Sequence, residues 1–428
     1  MLKSAGISNL LWNFVFTKLR FLSMYHISLN KYIFSLLILF PGVFISCKPK
    51  AITPVTETKC AGEVILRHVD LERVKKEINY DLKHFQVDMV IQKKVHHEGF
   101  NGAVLVAQKG VVIYDSVFGY ADMRTHTPLT SHSAFQLASV SKTITATAVL
   151  RLVEAGKLSL NDSIQKFFPK FPYHHIYVRD LLSHRSGLPN YLYGYDVNRS
   201  RRVARPSNRD IIEWYDTISP TPPPYRMPGS RFGYCNTNFA LLASIIEKVS
   251  GKSFPCHLRE TIFNPLGMND TFVDTIGSPE QLSHKTVSHK GRHVCPRDYF
   301  DGVYGDKGIY STTHDLFRFY TALVNNCIIS KHTFANALKP LSLESRSRHN
   351  YGMGFRLMTS AEDMNHVKYV YHNGWWQGYC TVFWFNPKDD WVIIMLENHK
   401  NNTVYAVHPI IEILTGKPFG DDAEAVDE

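Results

Sequence analysis

Gly102-Ala103-Val104-Leu105-Val106-Ala107-Gln108-Lys109-Gly110-Val111-Val112-Ile113-Tyr114 is the stretch on which the fold turns. Two apolar runs meet at Lys109-Gly110, and that pattern predicts a β-hairpin. A second hairpin is predicted near the other end of the chain: Cys380 to Phe385, a turn over Asn386-Pro387-Lys388-Asp389-Asp390, then Trp391 to Leu396. Apolar spacing predicts a helix at about 69–94, ahead of the first hairpin, and another at about 404–414, closed by Gly416. Between the hairpins the chain carries helical patterns and Pro/Gly loops such as Pro220 to Pro228. Hairpins from both ends and a helical middle predict an α+β domain over residues 69–416. Its antiparallel sheet would be closed by the N- and C-terminal segments and flanked by helices, with a helical subdomain inserted at about 150–345.

Composition agrees with a large core. The chain has 428 residues, 44% of them hydrophobic and 13% aromatic, which rules out disorder for the body of the protein. The formal charge is +10, but Lys3, Lys18, Arg20 and Lys31 supply four of those charges ahead of Cys47 with no acid among them. The remaining surplus, without a long Lys/Arg run, speaks against a nucleic-acid partner. Seven cysteines (Cys47, Cys60, Cys235, Cys256, Cys295, Cys327 and Cys380) form no C-x-x-C pair, so neither a zinc ribbon nor a small disulfide scaffold is indicated. Their pairing stays open, and the odd count leaves at least one thiol unpaired or modified.

Cys47 is the natural candidate for modification. Lys31 is followed by the apolar run Tyr32-Ile33-Phe34-Ser35-Leu36-Leu37-Ile38-Leu39-Phe40, and small Ser46 precedes Cys47. This looks like a bacterial lipoprotein signal, with residues 1–46 removed and Cys47 lipidated, although Phe44 stands where an aliphatic residue is usual. The run is shorter than the ~20 residues a membrane span prefers. Met24 lies at an ordinary distance upstream and is an alternative start. Residues 47–68 read as a tether and 417–428 as an acidic tail. The expected location is the bacterial cell envelope, with a membrane contact through the lipid.

Three short patterns carry the chemistry. Ser139-Val140-Ser141-Lys142 opens a helical pattern over 143–152, and residues three apart on a helix share a face, so Lys142 can reach the Ser139 hydroxyl. Tyr234-Cys235-Asn236 precedes a second helical pattern, 239–249, ended by Gly251. A phenol beside a lysine can relay protons, and an amide can hold a substrate carbonyl. His372-Asn373-Gly374 leads into the last hairpin, where the N–H of Trp375 can complete an oxyanion hole. Each pattern is cheap alone. Ser-x-x-Lys recurs at Ser28/Lys31 and Ser163/Lys166, Tyr-x-Asn at Tyr371, and His-x-Gly at His97 and His289.

Order and context raise them above chance, since the elements follow one another 95 and 138 residues apart, each ahead of a suitable segment. Supporting phrases are Arg179 to Pro189 (RDLLSHRSGLP), Pro228-Gly229, Asn264 to Met268 and Gly308 to Thr312. Over residues 99–416 the chain resembles the serine β-lactamase and penicillin-binding protein superfamily, in its class C β-lactamase, D-alanyl-D-alanine carboxypeptidase and esterase branch. The resemblance implies a β-lactamase/transpeptidase-like fold and an acyl-enzyme on Ser139. Lys142 and Tyr234 would share the protons, and Asn236, His372, Gly374 and Trp375 would contact a substrate. That substrate would be a peptidoglycan peptide, a β-lactam or a small ester.

No cofactor is implied. His96-His97-Glu98 and His174-His175 could seed a metal site, but adjacent side chains converge poorly on one ion and no H-E-x-x-H is present, so no metal is expected. The absence of G-x-S-x-G argues against an α/β-hydrolase. His372 stands where familiar β-lactamases carry lysine, which weakens the grip expected on a substrate carboxylate. The competing reading is a non-catalytic relative that binds penicillin or peptidoglycan without turnover.

Overall fold

The computed structural model describes residues 71–195, 205–274, 284–344, 347–360 and 362–419. The expected signal segment, Met24, Cys47, the tether and the tail beyond Phe419 lie outside the described residues.

Seven strands make one antiparallel sheet: β1 (Gly102–Gln108), β2 (Val111–Phe118), β3 (His349–Tyr351), β4 (Arg356–Thr359), β5 (Val367–Trp376), β6 (Tyr379–Asn386) and β7 (Trp391–Glu397). Their order across the sheet is β3-β4-β5-β6-β7-β1-β2. Both expected hairpins are present. Lys109 and Gly110 turn with φ of 52° and 77°, the paired left-handed conformation whose twist suits a two-residue hairpin. β1 pairs with β7 along its whole length, from Gly102 opposite Glu397 to Gln108 opposite Trp391, so the two ends of the chain close the sheet together.

Every residue of β1, β6 and β7 is buried, as in a sheet covered on both faces. Leu105, Phe383, Phe385, Val392 and Ile394 face the helical middle of the chain. Val104, Val106, Trp384, Ile393 and Met395 face the terminal helices α1 (Leu71–Glu77) and α2 (Tyr80–Glu98) and the last helix, His408–Thr415. Between the hairpins, α3 (Ser141–Glu154) and α4 (Asn236–Ser250) pack together in the helical layer, and the last helix is α5.

Two expectations need correcting, and two strands are added to them. The first helix is two helices, broken where Asn79 takes a left-handed backbone (φ 54°, ψ 53°). The last one is a 3-10 turn, Thr403–Tyr405, followed by α5, which starts beside Pro409 and ends at the left-handed Gly416. Strands β3 and β4 were not expected, and they carry residues that the site uses. A small ladder of Phe135–Gln136, Ile309–Ser311 and Phe272–Val273 sits beside the main sheet. Among the described residues no helix is long and apolar enough to cross a membrane.

Candidate active site

Ser139 lies in a 3-10 turn, Ala138–Val140, that runs straight into α3. The turn is fastened on both sides. The Leu137 N–H donates to the Ile309 carbonyl at 2.8 Å, and the Thr381 hydroxyl of β6 donates to the Leu137 carbonyl at 2.8 Å. Ala138, buried and without a glycine's freedom, holds φ at 47°, a strained conformation worth about 1–3 kcal/mol that the surroundings must enforce. α3 is buried almost all round despite three threonines, because the hydroxyls of Thr143, Thr145 and Thr147 donate back to carbonyls three or four residues earlier.

Lys142, one turn on, is fully buried. Its Nζ donates to Ser139 Oγ at 2.9 Å and to the Asp306 carbonyl at 2.7 Å. The Tyr234 hydroxyl also donates to Ser139 Oγ at 2.9 Å. Lys142 Nζ stands 5.1 Å from the centre of the Tyr234 ring, and the Arg356 guanidinium of β4 stands 5.0 Å from it. Two cations therefore face one phenol. Asn236 is the first residue of α4 and half-buried, and its side chain has no hydrogen-bond partner among the described residues, which leaves the amide for a ligand.

The segment Arg179 to Pro189 sets Tyr234 in place. His184 packs against the Tyr234 ring at 4.3 Å, and its Nδ1 accepts from the Cys235 N–H at 3.2 Å. Burial, helped by Lys142 and other nearby positive groups, drives its imidazole well below the usual range, so it is neutral. Cys235 is a buried free thiol pushed up by burial to about 11, so it stays protonated and unreactive.

β4 pairs with β5 only as far as Tyr371. The following run, His372 to Trp376, keeps β6 on one side and offers its other side to the Ser139 turn. Gly374 is required there. A Cβ on it would lie 2.3 Å from the Leu137 carbonyl oxygen and 2.3 Å from Thr381 Oγ1. The Gly374 carbonyl accepts from the Tyr405 hydroxyl at 2.8 Å, so the Trp375 N–H of the same planar trans peptide points the opposite way. The Trp375 side chain is 51% exposed under the Lys400 ammonium, 4.5 Å from its ring centre.

His372 is fully enclosed. Its Nδ1 donates to the Asn373 carbonyl at 2.8 Å and its Nε2 meets the Tyr351 hydroxyl at 3.2 Å. Burial, then the charges of Arg356 and Lys142, hold it well below the ordinary histidine range. The structure thus places a neutral, hydrogen-bonded imidazole behind Tyr234, while the cations near that phenol are Lys142 and Arg356. Sequence reasoning did not single out Arg356, Asp306, Tyr351 or His184 as site residues. Arg356 carries no local motif, and only the pairing of β4 with β5 brings it in.

Among the other candidates, His96, His97, His174 and His175 are exposed, and no group of three metal-ligating side chains converges among the described residues.

A serine held between a lysine and a tyrosine, on an antiparallel sheet closed by both chain ends, defines a serine hydrolase. The chain belongs to the beta-lactamase family, whose model matches residues 87–415. It is 36% identical over 338 residues to penicillin-binding protein 4* of Bacillus subtilis, covering 75% of this chain and 73% of that one. A D-aminopeptidase of Brucella anthropi is 33% identical over 228 residues, 52% of this chain and 42% of that protein. Among solved structures, a penicillin binding protein from Bacillus halodurans superposes with a TM-score of 0.65 at 22% identity, over 76% of this chain and 98% of that chain.

Proposed function

We propose that the chain is an envelope hydrolase that opens an amide or ester by forming an acyl-enzyme on Ser139. The observation that carries this reading is the pair of 2.9 Å contacts from Lys142 and Tyr234 to Ser139 Oγ. As Oγ attacks the substrate carbonyl carbon, its proton passes to the Lys142–Tyr234 pair. The pair receives it in the form that lacks one proton, a Tyr234 phenolate facing the Lys142 and Arg356 cations, whose negative charge is neutralised as the proton arrives. The N–H groups of Ser139 and Trp375 hold the carbonyl oxygen as it becomes an oxyanion. Collapse breaks the bond to the leaving nitrogen or oxygen, which receives the stored proton. Water then repeats the sequence on the ester and frees Ser139.

The enclosed, neutral His372 offers no charge to a β-lactam carboxylate. This supports a peptide or ester as the natural substrate and a β-lactam as a slowly released acylating agent. The relatives named penicillin-binding protein and D-aminopeptidase point the same way. Export is supported by Cys256 and Cys327, both disulfide-bonded, which suits an oxidising compartment.

The test is intact mass of the protein lacking residues 1–47 after penicillin treatment, with a chromogenic ester assayed in parallel. An adduct and an ester turnover that both vanish in Ser139→Ala are expected. Losing the hydroxyl removes two hydrogen bonds, about 0.5–1.5 kcal/mol each, so the fold survives. Turnover that persists in that variant would overturn the assignment. A permanent adduct without any turnover would make the protein a binding relative.

A further inference from the structure

A buried charged cluster behind the serine has no part in the steps above. Asp306 and Lys307 are 2% and 3% exposed. Lys307 Nζ lies 3.5 Å from Asp306 Oδ2 and donates to the Tyr191 hydroxyl at 2.6 Å, which itself donates to Asp306 Oδ2 at 2.9 Å. The same ammonium sits 4.6 Å from the centre of the Trp376 ring. Burying such ions carries a heavy desolvation cost before pairing, so a well-packed apolar cluster would serve stability as well or better.

The cluster's connections run to the two halves of the site. The Asp306 carbonyl holds the Lys142 ammonium at 2.7 Å. At the other end Trp376 Nε1 donates to Asp301 Oδ1 at 2.7 Å, and Gln377 Nε2 donates to Asp298 Oδ2 at 2.9 Å. Trp376 directly follows the Trp375 N–H. Residues 298–307 therefore bridge the lysine that handles the proton and the strand edge that would hold the oxyanion. Gly305 presses this bridge onto α4, since a Cβ there would lie 2.4 Å from the Phe239 carbonyl oxygen.

We propose that Lys307 is a positioning residue for acyl transfer, locking residues 298–307 so that Lys142 and the Trp375–Trp376 edge keep a fixed spacing around Ser139. The inference rests on Ser139 being the nucleophile.

The test compares Lys307→Met, Lys307→Arg and Trp376→Leu with the wild type and Ser139→Ala, using the full chain and the chromogenic ester. Lys307→Met is expected to lower kcat about 10–100-fold with KM moved less than about threefold. Lys307→Arg should recover most of the rate, since it keeps a cation beside Tyr191 and Asp306, and Trp376→Leu should lose kcat as the methionine variant does. If wild-type turnover depends on Ser139 while the methionine and leucine variants stay within about twofold of wild type, the inference fails. Equal losses in Lys307→Met and Lys307→Arg would also overturn it, by showing a packing role alone. Should Lys307→Met not fold, Trp376→Leu decides by the same rate limits. Turnover that survives Ser139→Ala removes the nucleophile assignment itself.

Discussion

Gly374 shows how narrowly single residues set the site. It is the point where β5 and the Ser139 turn touch, with the Leu137 carbonyl and Thr381 Oγ1 in the space a side chain would need. Gly374→Ala must push that turn away from the strand, and a displacement of about 1 Å can cost 10²-fold in rate. The variant is expected to lose at least that much kcat/KM and about 1–3 kcal/mol of stability, the usual cost of overpacking. Urea unfolding and ester kinetics on one preparation check both; an alanine variant with wild-type kinetics would show that strand and turn are not in register for the reaction. At this scale the sequence was legible where function depends on near neighbours. Ser139 and Lys142 meet because a helix turn brings them together, and Tyr234 because it precedes a helix. Arg356 and Asp306 were illegible, since one acts through strand pairing and the other through a backbone carbonyl 164 positions from Lys142.

Among elements, the hairpins announced themselves through Lys109-Gly110 and through apolar runs long enough to be buried on both faces. The break at Asn79 did not, because the apolar positions on either side of it keep a helical spacing. β3 and β4 were hidden by shortness, at three and four residues. The end of β7 carries a consequence for pH. Glu397 is fully buried, accepting from the Asn101 N–H at 3.2 Å and the Thr403 hydroxyl at 3.3 Å. Burial pushes its carboxyl up to about 8. The folded protein then binds a proton that the unfolded chain has released, so this group stabilises below about pH 4.5, and the stabilisation is lost as pH rises from there to about 8. Glu397→Gln imitates the protonated acid. Its stability relative to wild type is expected to rise between pH 5 and pH 8 by an amount on the order of a few kcal/mol. Buried His184 and His372 act in the opposite direction, losing stability as pH falls below about 6.5. The difference between variant and wild type is therefore the quantity to measure, by urea unfolding at each pH. A difference that does not change with pH would mean that Glu397 is ionised in the folded protein.

On the scale of the whole molecule, we propose that the hydrolase is held to a membrane by its N-terminus. The apolar run ahead of Cys47 and the stretch 48–70 before α1 suit a protein whose N-terminus is lipidated while its catalytic body stays in solvent. A chain of that length would, if fully extended, reach roughly 80 Å, enough for an anchored site to work well away from a bilayer. Two acyl chains, at about 0.8 kcal/mol per buried CH₂, would make the attachment stable, whereas one chain alone would not. The full chain expressed in a bacterium is thus expected to enter the detergent phase and to show the mass of a lipid on Cys47. Cys47→Ala should lose that mass and leave the detergent phase unless its signal is retained. Its kcat should be unchanged, because the site residues named among the described residues all lie at or beyond Ser139. A wild-type protein recovered only from the aqueous phase, without the added mass, would refute the anchor and leave the hydrolase assignment untouched, since Ser139, Lys142 and Tyr234 meet wholly within the described body of the chain.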